Sequence, residues 1–276
     1  MKVFKSFFGF YINSSIHVAL SVFSMTWITL LEFGIPFDIN LLCFVFFASI
    51  TGYNFVKFFG IAKFHHRSLA SWLRIIQIFS FACFLLLCFF AFKLPFKTLL
   101  CIGALGIITF LYAIPFLPKH LFMDEQKNLR SIGGLKVYVI ASVWAGVTVL
   151  LPVLNNNHSL DENVCLIAVQ RFIFVIMLML PFEIHDLQYD NLKLSTIPQK
   201  IGIKNTKIFG ILLGLLFVFL EFFIDDLKPN DLTIALIIMI TSLLFLIFSK
   251  KNQNDFYSSF WVEGIPIFWL LLHLIS

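Results

Sequence analysis

The chain has 276 residues, of which 60% are hydrophobic and 13% charged, with a formal net charge of +5. A soluble domain is about a quarter charged, and no soluble fold covers this much apolar surface. The composition excludes a soluble enzyme, gives no reason to expect a nucleic-acid partner, and points to a polytopic membrane protein.

The 37 Phe residues are read as lipid-facing and packing side chains. The five cysteines (Cys43, Cys83, Cys88, Cys101 and Cys165) lie in apolar runs without CxxC or Cys/His spacing, and are read as free thiols. The first long apolar stretch has no small-residue cleavage pattern, so no signal peptide is expected.

A membrane-spanning helix needs about 20 apolar residues. Nine segments qualify in chain order: 11–33, 38–60, 70–92, 96–116, 134–154, 163–183, 206–225, 231–249 and 256–275. Short punctuators such as "GIPFD", "KLPFK", "NNNHSLDE" and "DDLKPND" separate them. The expected fold is all-α, a single nine-span domain over residues 1–276. With the N-terminus inside, 16 of the 20 Lys and Arg residues fall on the inner side. Lys93, Lys97 and Lys228 fall outside, and Arg171 falls within a span. This asymmetry predicts N-in, C-out. The polar inner loops are then 57–74, 117–133 and 184–205.

The stretch "PFEIHDLQYDNLKL" closes the sixth span. Glu183, Asp186 and Asp190 are spaced i, i+3 and i+7, which places them on one helical face. Three like charges at a membrane interface repel unless a cation is present. One reading is a Mg²⁺ site, since Mg²⁺ takes few carboxylates and bridges to phosphate oxygens. The other is a solvated helix end. Lys193, three residues beyond Asp190, fits either a salt bridge or a phosphate contact.

The longer stretch "FEIHDLQYDNLKLSTIPQKIG" resembles the second Asp-rich motif of the UbiA superfamily of intramembrane prenyltransferases. Glu183, Asp186 and Asp190 take its acidic positions, and Lys193, Thr196, Pro198 and Gly202 match the rest. "KNLRSIGGLKVYVIASVWAGV" more weakly resembles the family's entry into helix five, with Arg130 and Lys136 at its basic positions. The resemblance implies a nine-helix bundle and a cytoplasm-facing site that holds Mg²⁺ on an isoprenoid diphosphate. It implies prenyl transfer to an apolar or aromatic acceptor, assigning Asp186, Asp190 and Lys193 to catalysis and Glu183, Asp186 and Asp190 to the metal. Asn54, Lys57, Arg130 and Lys136 fall to diphosphate binding. A bacterial inner membrane is the expected location.

The first Asp-rich motif departs from the family pattern. In "YNFVKFFGIAKFHHRSL", Asn54 fits, but Phe58 and Ala62 stand where acids belong, and no acid occurs from Ile39 to Lys119. Lys57, Lys63, His65, His66 and Arg67 make the segment basic. These cations either bind phosphate in place of a metal, so that at most one Mg²⁺ is needed, or only anchor the inner loop. Asn54 and Lys57 share a helical face, expected to look toward Asp186 and Asp190.

Arg171 and Gln170 lie inside the sixth span, either paired with Glu221 or Glu263 or lining a polar substrate cavity. Asn13, Ser14, Ser15 and His17 suit interhelical hydrogen bonds. Three functions stand at this point: a prenyltransferase, a noncatalytic relative that binds a lipid or quinone or scaffolds partners, and a small transporter using Arg171, Glu221 and Glu263.

Overall fold

A computed structural model describes residues 2–62, 71–113, 134–188, 196–225 and 229–276, which are helical with no strand among them. The helices are α1 (Lys2–Asn13), α2 (Ile16–Glu32), α3 (Ile39–Ala62), α4 (Ser71–Ala91), α5 (Phe96–Ala113), α6 (Leu135–Ala145), α7 (Leu151–Asn155), α8 (Glu162–Asp186), α9 (Ile197–Glu221), α10 (Pro229–Phe248) and α11 (Ile265–Ile275). A π-helical turn, Gly146–Leu150, joins α6 to α7, and a second, Tyr257–Val262, precedes α11.

Among the described residues, seven helical segments are long and apolar enough to cross a membrane. An eighth is a bent pair, α1 with α2, broken by 53°. The apolar part of α5, Phe96–Leu111, is shorter. The chain is therefore an integral, multi-pass membrane protein.

Two predicted boundaries move. The segment expected as one span at 11–33 breaks at Ser14–Ser15, with Ser15 in the left-handed region at φ 62°. Helix α9 starts at Ile197, nine residues before the expected 206, so much of the predicted loop 184–205 is helical.

Helix α8 is the central post, with 67% of its span buried, against 17% for α4. Around it, one core joins Met25, Leu41, Val137, Phe174, Phe217 and Trp269 from six helices. Helix α4 turns Phe81, Phe84, Leu85 and Phe89 outward. A lipid-facing helix needs no polar face, which accounts for many of the phenylalanines.

Hydrogen bonds and ion pairs sort the helix ends. The N-terminal ends of α2 and α6 meet the C-terminal ends of α3 and α8 and the π turn before α11 at one end, here termed the motif end. At the other end, Asp38 at the start of α3 accepts from Asn155 Nδ2 at 2.7 Å, and Thr98 donates to Asn155 Oδ1 at 3.0 Å.

Candidate functional site

Glu183 and Asp186 lie one turn apart on the last stretch of α8. Lys136, on the first turn of α6, places its ammonium between them. Its Nζ is 3.2 Å from Asp186 Oδ2 and 3.6 Å from Glu183 Oε1. Glu183 is 1% exposed, while Lys136 and Asp186 stand at the rim, 27% and 35% exposed. A carboxylate as deep as Glu183 is strongly destabilising without a cation, and Lys136 supplies one.

Helix α8 ends at Asp186, so the expected helical face reaches Glu183 and Asp186 and stops there. Asp190, Lys193 and Arg130 lie outside the described residues. Among the described residues, no group of three His, Cys, Asp or Glu side chains could hold a metal ion. Two carboxylates already share the Lys136 ammonium.

The tail of the motif builds the start of α9. Thr196 is its N-cap, and its N–H donates to Gln199 Oε1 at 3.0 Å. Pro198 sits in the first turn, where its missing N–H does no harm. Gly202 has φ 80° and ψ 160°, a region essentially open to glycine alone, and it kinks the helix. The three motif residues thus set how the chain re-enters the bundle.

Asn54 and Lys57 do share a face of α3, but that face meets the break between α1 and α2. Asn54 Nδ2 donates to Ser14 O at 3.0 Å and to Ser80 Oγ at 2.7 Å, and Asn54 Oδ1 accepts from Ser15 Oγ at 2.8 Å. Lys57 Nζ donates to Asn13 O at 3.3 Å. A broken helix leaves carbonyls without partners, and in a membrane each such group costs several kcal/mol. Asn54 and Lys57 satisfy them. The structure joins neither residue to Glu183 or Asp186 by a hydrogen bond or ion pair. Phe58 is 8% exposed and packs with Leu73 and Ile76 of α4. The position that holds an acid in the family pattern belongs here to an apolar contact.

Deeper in the bundle, Trp144 Nε1 of α6 donates to Tyr53 Oη of α3 at 2.6 Å. His17 bridges α1 to the π turn, with its Nε2 2.8 Å from Phe260 O and its Nδ1 2.8 Å from Tyr11 Oη. A carbonyl only accepts, so Nε2 carries the proton and Nδ1 accepts from Tyr11. The interhelical hydrogen bonding expected of His17 is formed, whereas the Trp144–Tyr53 contact is not legible in the sequence.

Arg171 pairs with Glu32, outside the two expected partners, while Glu221, one of those two, is also electrostatically coupled to it. Its Nη2 is 3.2 Å from Glu32 Oε2, and its guanidinium lies 4.6 Å from the Trp269 ring centre. Glu221 accepts from Gln170 Nε2. Glu263 lies at the motif end, where its carbonyl accepts from Ser21 Oγ. Among the described residues, no ion pair joins Glu263 to Arg171 or Glu221.

No protein-family model matches the chain, and no curated protein matches it by sequence. Solved structures share its architecture. A UbiA homologue from Archaeoglobus fulgidus bound to GPP and Mg²⁺ aligns with a TM-score of 0.63 at 14% identity, over 96% of this chain and 98% of that one. A structure from work on digeranylgeranylglyceryl phosphate synthase aligns with a TM-score of 0.58 at 16% identity, over 100% and 98%. The chain is thus an all-helical membrane bundle, and its fold is that of the UbiA homologues.

Proposed function

We propose that the chain is a member of the UbiA superfamily that transfers a prenyl group from an isoprenoid diphosphate to an apolar or aromatic acceptor. One observation carries this reading. The fold of a GPP- and Mg²⁺-binding homologue extends over 96% of the chain, and the motif end presents Lys136 between Glu183 and Asp186.

In this reading the bent pair and α5 bring the crossings to nine, with the motif end on the cytoplasmic side. Lys136, with Arg130, Lys193 and Lys57, supplies fixed positive charge to the diphosphate. Such groups stabilise the charge that develops on departing pyrophosphate, and they act most strongly where water is excluded. Asp186 and Asp190, with Glu183, are the residues that would hold Mg²⁺, which when bound offsets the diphosphate charge. Lys136 already neutralises part of the acidic pole, so at most one ion is needed. Asn54 serves as a positioning residue, because its amide is committed to the α1–α2 break.

A second reading is favoured by Phe58, whose burial against α4 leaves the first motif without a ligand at that position. The chain would then be a noncatalytic relative that binds a prenyl lipid or quinone. Purified protein titrated with geranylgeranyl diphosphate, with and without Mg²⁺, separates the two. The transferase reading expects diphosphate-specific binding that is lost in Asp186→Ala and Asp190→Ala. It expects Lys57→Ala to weaken binding by about 1–3 kcal/mol, the range for a charge-assisted hydrogen bond. Equal affinity for geranylgeraniol and its diphosphate defeats it.

A further inference from the structure

Helices α9 and α10 carry opposite charge at their two ends. From Ile197 to Asn254, the acids are confined to the stretch 221–231, which joins the far ends of the two helices. The motif end of the pair holds Lys200, Lys204, Lys207, Lys250 and Lys251. Gln253, just beyond α10, donates to Pro181 O of α8 at 3.3 Å and ties this corner to the motif end. Among the described residues, no carboxylate forms an ion pair with any of the five lysines. Like charges gathered in one corner repel unless an anion is supplied.

Three of these lysines converge from the two helices. Lys207 Nζ donates to Ile247 O at 2.6 Å and to Ser249 O at 2.9 Å, where α10 ends. An ammonium has three N–H groups. Two therefore fix Lys207 in place, and the third has no acceptor among the described residues. Lys250 follows Ser249 directly, and Lys204 lies one turn before Lys207 on α9. Both are exposed.

These cations stand above a lipid-facing groove. Gly210 and Gly214 let α10 lie close against α9. A Cβ at Gly210 would clash with Leu246, and one at Gly214 would meet Met239 Cγ at 3.2 Å. Helical spacing places Lys204, Lys207 and Leu215 on the edge of α9 that borders α10, and Ile240 and Ile247 on the facing edge of α10. Leu215, Ile240 and Ile247 are 57%, 51% and 46% exposed. The groove between the two edges is thus apolar along its length and cationic only at the motif end. Leu215 lies eleven residues beyond Lys204, or about 16 Å along the helix. That is about half the thickness of a hydrocarbon core, the depth of one leaflet.

We infer that the groove between α9 and α10 holds one anionic phospholipid, its phosphate seated on Lys204, Lys207 and Lys250 and its acyl chains lying along Leu215, Ile240 and Ile247. Basic pockets between membrane-spanning helices suit anionic headgroups, and lysine binds phosphate as a point charge. A free phosphate would meet the lysines alone, whereas a phospholipid meets the lysines and the apolar groove together. The lipid is a ligand separate from the diphosphate proposed at the Lys136 pole, and its site does not rest on the transferase reading.

The test titrates the full chain in detergent with dioleoylphosphatidylglycerol and, separately, with dioleoylphosphatidylcholine, read by native mass spectrometry. A lysine near the headgroup is worth about fivefold in affinity, so three should favour the anionic lipid by about 100-fold. Lys204→Gln combined with Lys250→Gln removes two exposed side chains that form no ion pair among the described residues, so the fold should stand. That double variant should bind phosphatidylglycerol about 25-fold more weakly and phosphatidylcholine unchanged. Arg74→Gln removes an exposed cation near the same end of α4 and should leave both affinities within about twofold, as expected of a charge outside the groove. A benzoylphenylalanine at Ile240 should cross-link phosphatidylglycerol selectively from an equal mixture of the two lipids, and one at Phe84 of α4 should show no preference. Equal affinity for the two lipids, an equal loss in Arg74→Gln and the double variant, or unselective cross-linking at Ile240 overturns the site. Displacement of phosphatidylglycerol by millimolar inorganic phosphate overturns the lipid as its occupant.

Discussion

Replacing Arg171 by Met tests whether the buried ion pair on α8 holds the bundle together. Arg171 is 1% exposed and pairs with Glu32 at 3.2 Å, with Trp269 beneath its guanidinium at 4.6 Å. Breaking one side of a buried pair costs about 3–5 kcal/mol, because the other charge is left without a partner. The two sides are not equivalent. Glu32 is 19% exposed and lines a cavity of about 590 Å³ at the end opposite the motif. Its carboxylate can take up water once Arg171 is gone, so Arg171→Met should cost about 2–3 kcal/mol, below the full range. Arg171, 1% exposed, has no route to water; Thr29 Oγ1 lies 3.4 Å from its Nη2 and Glu221 is coupled to it, but its Nε and Nη1 lack partners. Glu32→Gln should therefore cost more, about 3–5 kcal/mol. The double variant removes both charges and should recover to within about 1.5 kcal/mol of the parent, since a well-packed neutral replacement is often nearly neutral. The assay is unfolding in mixed micelles followed by far-ultraviolet circular dichroism. Additive losses in the double variant would refute the reasoning, because independent sites add. So would a greater cost for Arg171→Met than for Glu32→Gln.

Three further outcomes follow from particular contacts. Asn54→Leu strips the buried Ser14 carbonyl and Ser15 hydroxyl of their partner and should lower stability by about 2–4 kcal/mol. The affinity of the surviving folded protein for geranylgeranyl diphosphate should stay within threefold of the parent, and a selective loss of that affinity would return Asn54 to the binding site. Gly202→Ala forces a side chain into φ 80° and should cost about 1–3 kcal/mol, read as a fall in the melting temperature of the purified protein. Single-cysteine variants at Ser68 and Ser195 should resist an impermeant maleimide in intact cells, and labelling of either from outside would reverse the proposed orientation.

Much of the bundle was legible because the signal is local. A run of about 20 apolar residues is long enough to span a membrane whatever surrounds it. Each predicted segment therefore has a helix, short only where α5 gives way to residues outside the described set. The second motif was legible for a related reason. Thr196, Pro198 and Gly202 are start and kink signals with meaning inside one short stretch. Lys136 was marked only by resemblance, yet it meets Glu183 and Asp186. What local pattern could not supply was the choice of neighbour. Arg171 had two plausible partners in the later spans, but its partner is Glu32, 139 residues upstream at the end of α2.

The case of Asn54 shows why that choice is hard to read. Helical periodicity placed Asn54 and Lys57 on one face and could go no further. Which surface that face meets is decided by the break at Ser14–Ser15, and the break carries no strong sequence mark. Neither Gly nor Pro stands there, and Ser15 adopts the left-handed region without glycine's freedom. That conformation is unfavourable for an isolated Ser residue, so it persists because the carbonyls it frees are met by Asn54 and Lys57. Break and clamp are mutually dependent, and neither is visible without the other. By engaging Asn13, Lys57 is held at that break, one turn beyond Asn54. The first motif's stretch thus engages the α1–α2 break through Asn54 and Lys57, while Phe58, at its acidic position, packs against α4.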